Sequence, residues 1–276
     1  MLKTILIGLD GSAYSDTALE MALDWGRRFD AMLVGLGIID EPTTARPQPL
    51  PPGSAPFRAR RDEAVLAGAR RKVEGFLGRF SVRCAEAGVA CKVLQDSGLP
   101  WAQIVRESQR YDLVLLGKKT YFHFETDEGV DDTLHQVLRN GARPVVTAPE
   151  VLDGRGVVVA YDGSMPAARA AQALQDTGLD LGEDVHVVTL GPDFTAAAVC
   201  AGRAAEFLGY HGIKAAALPV VAEAPPAEVL IDQVRRLSPR LLVMGAYGRS
   251  RWREYVFGST TRALLKTSPV PLLLCH

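Results

Sequence analysis

Three glycines, two hydroxyl side chains and a set of arginines near the C-terminal end have the types and spacing to bind an anion. Gly245 and Gly248 follow an apolar run over residues 241–244, and after nine intervening residues Gly258, Ser259 and Thr260 precede a helical pattern. The run is short enough for one buried strand. Glycine lets the backbone come close to a ligand, and the first N–H groups of a helix lack intrahelical partners, so a phosphate can be held there by backbone donors. Ser259 and Thr260 either cap the helix or donate to the anion. Arg249, Arg251 and Arg253 make the intervening loop positive. A Gly-rich turn that merely joins strand to helix is the competing reading.

The elements that must position this loop come from an internal repeat. Residues 5–12 (ILIGLDGS) recur as 157–164 (VVVAYDGS), 111–117 (YDLVLLG) as 239–245 (PRLLVMG), and 143–146 (RPVV) as 268–271 (SPVP). The period is too long for a solenoid, so it marks a duplicated domain, with halves 1–150 and 151–276. Pattern and breakers predict strands over 4–9, 31–38, 89–94, 113–116 and 145–148 in the first half, with helices over 16–29, 58–87, 100–110 and 132–139 between them. Residues 41–56 carry six prolines and predict an irregular surface insertion. The second half repeats the order: strands over 156–160, 185–190, 213–221, 241–244 and 270–274, and helices over 166–177, 195–210, 226–237 and 259–266. Such alternation predicts an α/β fold with parallel sheets covered on both faces. Ligands in these sheets sit at the carboxyl ends of the strands, where strand order switches. Asp162 and Gly245 both belong on that edge.

The spacing Gly-x2-Gly-x9-Gly-Ser, after a strand and before a helix, resembles the ATP-binding signature of the universal stress protein family. The repeat extends the resemblance over nearly the whole chain, as a tandem member. That implies two open parallel-sheet, Rossmann-like domains of the adenine nucleotide alpha hydrolase type, each with about five strands. It also implies ATP with Mg2+ as ligand. Carried over by position, Asp162 with Gly163 meets the nucleoside, and the adenine lies near residues 190–192. Gly245, Gly248, Gly258, Ser259 and Thr260 meet ribose and phosphates beside Arg249. Asp162 fits a simple turn or cap role equally, because Asp-Gly-Ser favours turns. The resemblance further implies that 145–148 and 270–274 pair as an internal pseudo-dimer, with homodimerisation as a further expectation; two ordinary edge strands are the alternative.

The first half departs from the signature. Asp10 and Gly117 match, but Thr120 stands at the second glycine's place, and Asp131 and Asp132 align with Gly258 and Ser259. Glu125, Asp127 and Glu128 add negative charge to that loop. Carboxylates at a helix N-terminus suit the helix dipole and oppose a phosphate. The expectation is that this half binds a triphosphate poorly or not at all. Its pocket is then vestigial, self-capped, or suited to an uncharged or cationic ligand. Tyr121, Phe122 and Phe124 around His123 read as cover for an apolar patch.

The totals exclude several classes. A composition 47% hydrophobic and 23% charged supports a real core, and a net charge of −1 argues against a general nucleic-acid or membrane-surface binder. No run reaches a membrane span, and Met1 leads straight into a strand without a signal-peptide layout, so the expected compartment is the cytoplasm. Cys84, Cys91, Cys200 and Cys275 lack CxxC spacing and read as reduced, mostly buried small hydrophobes. Lys118-Lys119-Thr120 lacks the upstream glycine of a P-loop, and the carboxylate cluster lacks an EF-hand pattern. A phosphoryl-transfer enzyme needs a base and metal ligands; beyond Asp162 no base is evident, and Glu254 is the lone acid in the second-half loop. No catalytic or metal-ligating residue is assigned. The reading is a nucleotide-binding regulatory protein with an unknown protein partner, against a slow Mg-dependent ATPase or a ligand-independent scaffold.

Overall fold

The computed structural model describes residues 1–44, 55–120, 122, 132–246 and 258–276. By their contacts these form two compact units, Lys3–Gly141 and Ala142–His276, the latter joined by Met1–Leu2. The first unit contains β1 (Thr4–Gly8), α1 (Ala13–Phe29), β2 (Met32–Ile39), α2 (Glu41–Thr44), α3 (Ala55–Ala87), β3 (Cys91–Ser97), α4 (Pro100–Ser108), β4 (Leu113–Gly117) and α5 (Thr133–Asn140). The second contains β5 (Val145–Ala148), β6 (Val157–Ala160), α6 (Met165–Thr177), β7 (Val185–Gly191), α7 (Phe194–Tyr210), β8 (Ala215–Val221), α8 (Pro226–Leu237), β9 (Leu241–Gly245), α9 (Ser259–Thr267) and β10 (Leu272–Cys275). The chain is thus mixed α/β, as the alternation predicts. Glu41–Thr44 corrects one expectation: a helical turn stands where an irregular insertion was read, with Asp40 Oδ1 accepting the Thr43 N–H at 3.0 Å. The rest of the insertion, 45–54, lies outside the described residues.

Strand order in the first unit is β3-β2-β1-β4, all parallel. In the second it is β5-β10-β9-β6-β7-β8, parallel except for β5. β5 runs antiparallel to β10, with Val145 opposite Leu274 and Thr147 opposite Leu272. The chain moves outward from β1 in the first unit and from β6 in the second, and then returns to that strand's other side. The switch falls between β1 and β4, and between β6 and β9. The central strands are buried because helices cover both faces; Ile5, Leu6, Ile7 and Val158, Val159 are wholly inaccessible.

The two units solve the same packing problem with opposite choices. Ile7 pairs with Gly35 and Val159 with Val187, so Gly35 and Val187 hold the same register position. A Cβ on Gly35 would lie 2.8 Å from Phe80, and one on Gly37 2.5 Å from Val73, so α3 drives large side chains into a glycine-bearing strand. Gly88 and Gly212 follow α3 and α7, and twelve residues before each stand Phe76 and Cys200 (88 − 12 = 76; 212 − 12 = 200). On the same count Val73, Leu77 and Phe80 correspond to Ala197, Ala201 and Ala204. The second unit thus moves volume from helix to strand, an exchange that close-packed cores tolerate. Among the described residues no helix is long and apolar enough to cross a membrane.

Candidate functional site

The site begins with the turn after the first strand of each unit. Ser12 and Ser164 have extended backbones and cap α1 and α6, accepting the N–H groups of Ser15 (3.2 Å) and Ala167 (3.3 Å). Asp10 and Asp162 stabilise the same turn, each accepting the serine N–H two residues on, at 3.0 and 2.9 Å. Gly11 and Gly163 complete it with φ of 75° and 74°, a conformation that costs a side-chain-bearing residue energy. The turn role for Asp162 is therefore present in the structure, and it uses one carboxylate oxygen.

Around this shared turn the units diverge. Asp10 is buried, and the Ser12 hydroxyl also donates to it at 2.7 Å. A Cβ on Gly11 would lie 2.3 Å from the Phe76 ring, so α3 lays an aromatic ring on the turn. Phe122, 1% exposed, closes the end of β1: a Cβ on Gly8 would lie 3.2 Å from its ring and 2.5 Å from Leu116. Asp162 and Gly163, by contrast, are exposed, and the nearest atom to a Cβ on Gly163 is Cys200 Sγ at 3.4 Å. Tyr161 stands half-buried beside them. Burial, then Cys200 and Asp162, push its phenol pKa up, against Arg203. Sequence reading missed that Cys200 stands against Gly163 and that Cys200 and Arg203 act on Tyr161 beside this turn. Counting back from Gly88 and Gly212 would have found the Phe76-to-Cys200 exchange.

Gly245 has a packing reason of its own. A Cβ there would lie 2.5 Å from the Ala167 nitrogen and the Pro166 carbonyl carbon, so the end of β9 abuts the first turn of α6. Gly117 meets Tyr14 in the same way, 2.8 Å from its Cβ. Because β6 and β9 are adjacent and parallel, with Ala160 opposite Met244, this contact brings the end of β9 to the Asp162 turn. Lys118 and Lys119 follow Gly117; burial, aided by Lys119, lowers the Lys118 pKa, and the Lys119 ammonium lies over the Tyr14 ring at 5.6 Å.

Gly258 has no such reason. It is the N-cap of α9, at φ −55° and ψ 135°, angles open to any residue, and among the described residues a Cβ would meet nothing nearer than Thr261 Oγ1 at 3.9 Å. Among the described residues no side chain caps this helix; Ser259 is exposed and Thr260 half-buried. The capping role read for these hydroxyls is not taken up. In α5 the buried face of Leu134, Val137 and Leu138 matches Thr261, Leu264 and Leu265 of α9, which keeps Asp132 in register with Ser259. The Asp132 carboxylate accepts from Gln136 Nε2 at 2.7 Å. Gly248, Arg249, Arg251, Arg253 and Glu254, and in the first unit Tyr121, His123, Phe124, Glu125, Asp127, Glu128 and Asp131, lie outside the described residues.

A groove of about 640 Å³ lies at the opposite, amino edge of β6 and β7, lined by Arg155, Glu183, Asp184 and His186 among others. Its acids are engaged: Glu183 with Arg240 and the Gly156 N–H, and Asp184 with Lys214 at 2.7 Å. Among the described residues no group of three His, Cys, Asp or Glu is placed to hold a metal. The four cysteines divide by burial: Cys84 and Cys275 are buried, Cys200 is half-buried, and Cys91 is exposed.

A doubly flanked sheet with a switch-point site describes a nucleotide-type α/β fold, and comparison with known proteins narrows it. The profile of the universal stress protein family matches residues 1–149 and 211–276, so the chain belongs to that family. Asp162 and Gly163 lie between the two matched segments. A universal stress protein from Synechocystis is 28% identical over 198 residues, covering 67% of this chain and 68% of its own. Among solved structures, a universal stress protein from Archaeoglobus fulgidus superposes with a TM-score of 0.68 at 21% identity, over 99% of this chain and 97% of that one. A functionally unknown protein from Pseudomonas aeruginosa gives 0.60 at 16%, over 99% and 92%. At these identities the two structures establish the fold.

Proposed function

We propose that the chain is a nucleotide-responsive stress protein whose C-terminal unit binds ATP with Mg2+ and whose N-terminal unit does not. The observation that carries this reading is Gly258. Among the described residues neither backbone angles nor packing require a glycine there, whereas a phosphate approaching the N-terminus of α9 does. Residues 162 and 163 take the nucleoside, with Asp162 using the carboxylate oxygen that the turn leaves over. Gly245 shapes the floor by letting β9 approach α6, while Gly258, Ser259 and Thr260, together with Gly248 and Arg249, take the phosphates. Mg2+ arrives on the nucleotide's own oxygens. Binding changes a surface read by a protein partner, provided that ATP prefers one conformation of the unit over another.

The test is titration calorimetry of the intact chain with ATP and Mg2+. A stoichiometry near one is the expected result. Two sites would mean that Phe76 and Phe122 give way to ligand, and the assignment of a closed first unit would fall. Absence of binding, checked by a second method, would remove the nucleotide reading altogether.

A further inference from the structure

β3 in the first unit and β8 in the second are outermost strands, and the bonds to their inner neighbours show which backbone groups each leaves over. The Leu33 N–H donates to the Ala90 carbonyl and the Gly98 N–H to the Ile39 carbonyl, both at 2.9 Å, so the even-numbered residues of β3 turn their backbone towards β2. The odd-numbered ones, Cys91, Val93, Gln95 and Ser97, turn theirs outward, and all four are exposed. In β8 the Lys214 carbonyl accepts from Val185 at 3.0 Å and the Ala222 N–H donates to Gly191 at 3.4 Å, which leaves Ala215, Ala217, Pro219 and Val221 outward. Pro219 has no N–H to offer there, and so blunts that edge against a further strand. β3 carries no proline, and its side chains form a pattern. Lys92, Leu94 and Asp96 alternate onto one face. Lys92 is exposed, while Asp96 holds Arg106 through Oδ1 at 3.1 Å and has no hydrogen-bond partner at Oδ2 among the described residues.

We propose that β3 is the surface on which a second copy of this chain docks, strand against strand and antiparallel, about a twofold axis at Leu94. Backbone groups exchange hydrogen bonds across the edge only where outward residues oppose outward residues, so odd positions must face odd positions and the axis must pass through a residue. With the axis at Leu94, Cys91 opposes Ser97 and Val93 opposes Gln95 as hydrogen-bonded pairs. Lys92 of each copy then opposes Asp96 of the other as a closer, non-hydrogen-bonded pair, and Leu94 meets its own copy on the axis. An axis at Val93 or Gln95 sets a charge against Leu94, and one at Lys92 or Asp96 sets like charges together. The charges therefore select one register. The strand is complementary to itself: main-chain bonds supply the affinity, and the lysine brings a second cation to an aspartate with an oxygen to spare.

Sedimentation velocity of the full-length chain over a concentration series tests this. The wild type should form a reversible dimer. Lys92→Asp sets two carboxylates together at each charged pair, and Asp96→Lys sets two ammonium groups together. Each variant alone should weaken the dimer roughly tenfold or more in Kd. Mixed in equal amounts, the two should dimerise as the wild type does, because every pair again joins opposite charges. Asp96→Lys also takes a partner from Arg106, so if it fails to fold, Lys92→Asp at its exposed site decides the matter against the wild type. The register has its own check. Facing residues of a hydrogen-bonded pair stand about 5.5 Å apart at Cα, within disulfide reach, so mild oxidation of Ser97→Cys should join copies from Cys91 to the introduced thiol. A wild type that is monomeric throughout, a Lys92→Asp variant that dimerises undiminished, or folded variants whose mixture stays monomeric would overturn the proposal. So would copies of Ser97→Cys that link through Cys91 alone.

Discussion

The turn at Asp10 and the turn at Asp162 share a sequence, a φ near 75° at glycine, a serine cap and an aspartate-to-amide hydrogen bond. Only their surroundings differ. The first is covered by Phe76, with Phe122 closing the strand end beside it; the second is exposed beside Cys200. The lesson is that a motif defines a local conformation, while access is decided by side chains from distant elements. The aspartate that reads as a ligand contact by position is a buried structural group in one unit and an accessible one in the other.

That contrast can be broken most severely at Phe122. Phe122→Ala removes a fully buried ring and should cost about 3–5 kcal/mol of stability, measured by denaturant unfolding, while the C-terminal unit keeps its ATP affinity. Loss of ATP binding in a folded variant would mean that the two sites are not independent. Gly258→Asp carries the first unit's acidic character into the second. At about 4 Å and an effective dielectric of about 20, one repulsion is about 4 kcal/mol, roughly a thousandfold in Kd. Because no described residue crowds Gly258, the circular dichroism spectrum and melting temperature should stay unchanged. Retained affinity there would end the account of Gly258 as a phosphate contact.

Smaller effects sharpen the comparison further. Gly245→Ala and Gly117→Ala each force a methyl into the first turn of the neighbouring helix. Both should lower stability by about 1–3 kcal/mol, and a calorimetric scan that shows no change in either would refute the packing role. The aspartates should separate cleanly. Asp10→Ala strands the Ser12 N–H and should cost about 2 kcal/mol of stability without touching nucleotide binding. Asp162→Ala should cost roughly tenfold in ATP affinity and little in melting temperature, since its turn is exposed. Reversal of that pattern would reverse the assignment of the two sites.

The repeat, the parallel α/β architecture and most element positions were legible because each depends on local periodicity and on breakers such as Gly88, Gly212 and Pro226. The strand-to-helix glycine pattern was legible for the same reason. The roles within it were not. Gly245 and Gly258 look alike on paper, yet one abuts the first turn of α6 and the other has no such contact among the described residues; the register of β6 beside β9 accounts for the first. The short helix Glu41–Thr44 escaped because the prolines of residues 41–56 read as breakers, although Pro42 stands in the first turn, where its missing N–H costs nothing.

The sequence by itself determined that one α/β order of elements is repeated, that each copy carries an Asp-Gly-Ser turn, and that the second carries the fuller strand-to-helix set of glycines and hydroxyls. Those are properties of neighbours along the chain. Tertiary structure alone decided that Phe76 lies on the first turn and that Phe122 closes the strand end beside it. Each of these joins segments whose contact follows from close packing and strand order, and no local pattern encodes which side chain from a distant element fills a given space.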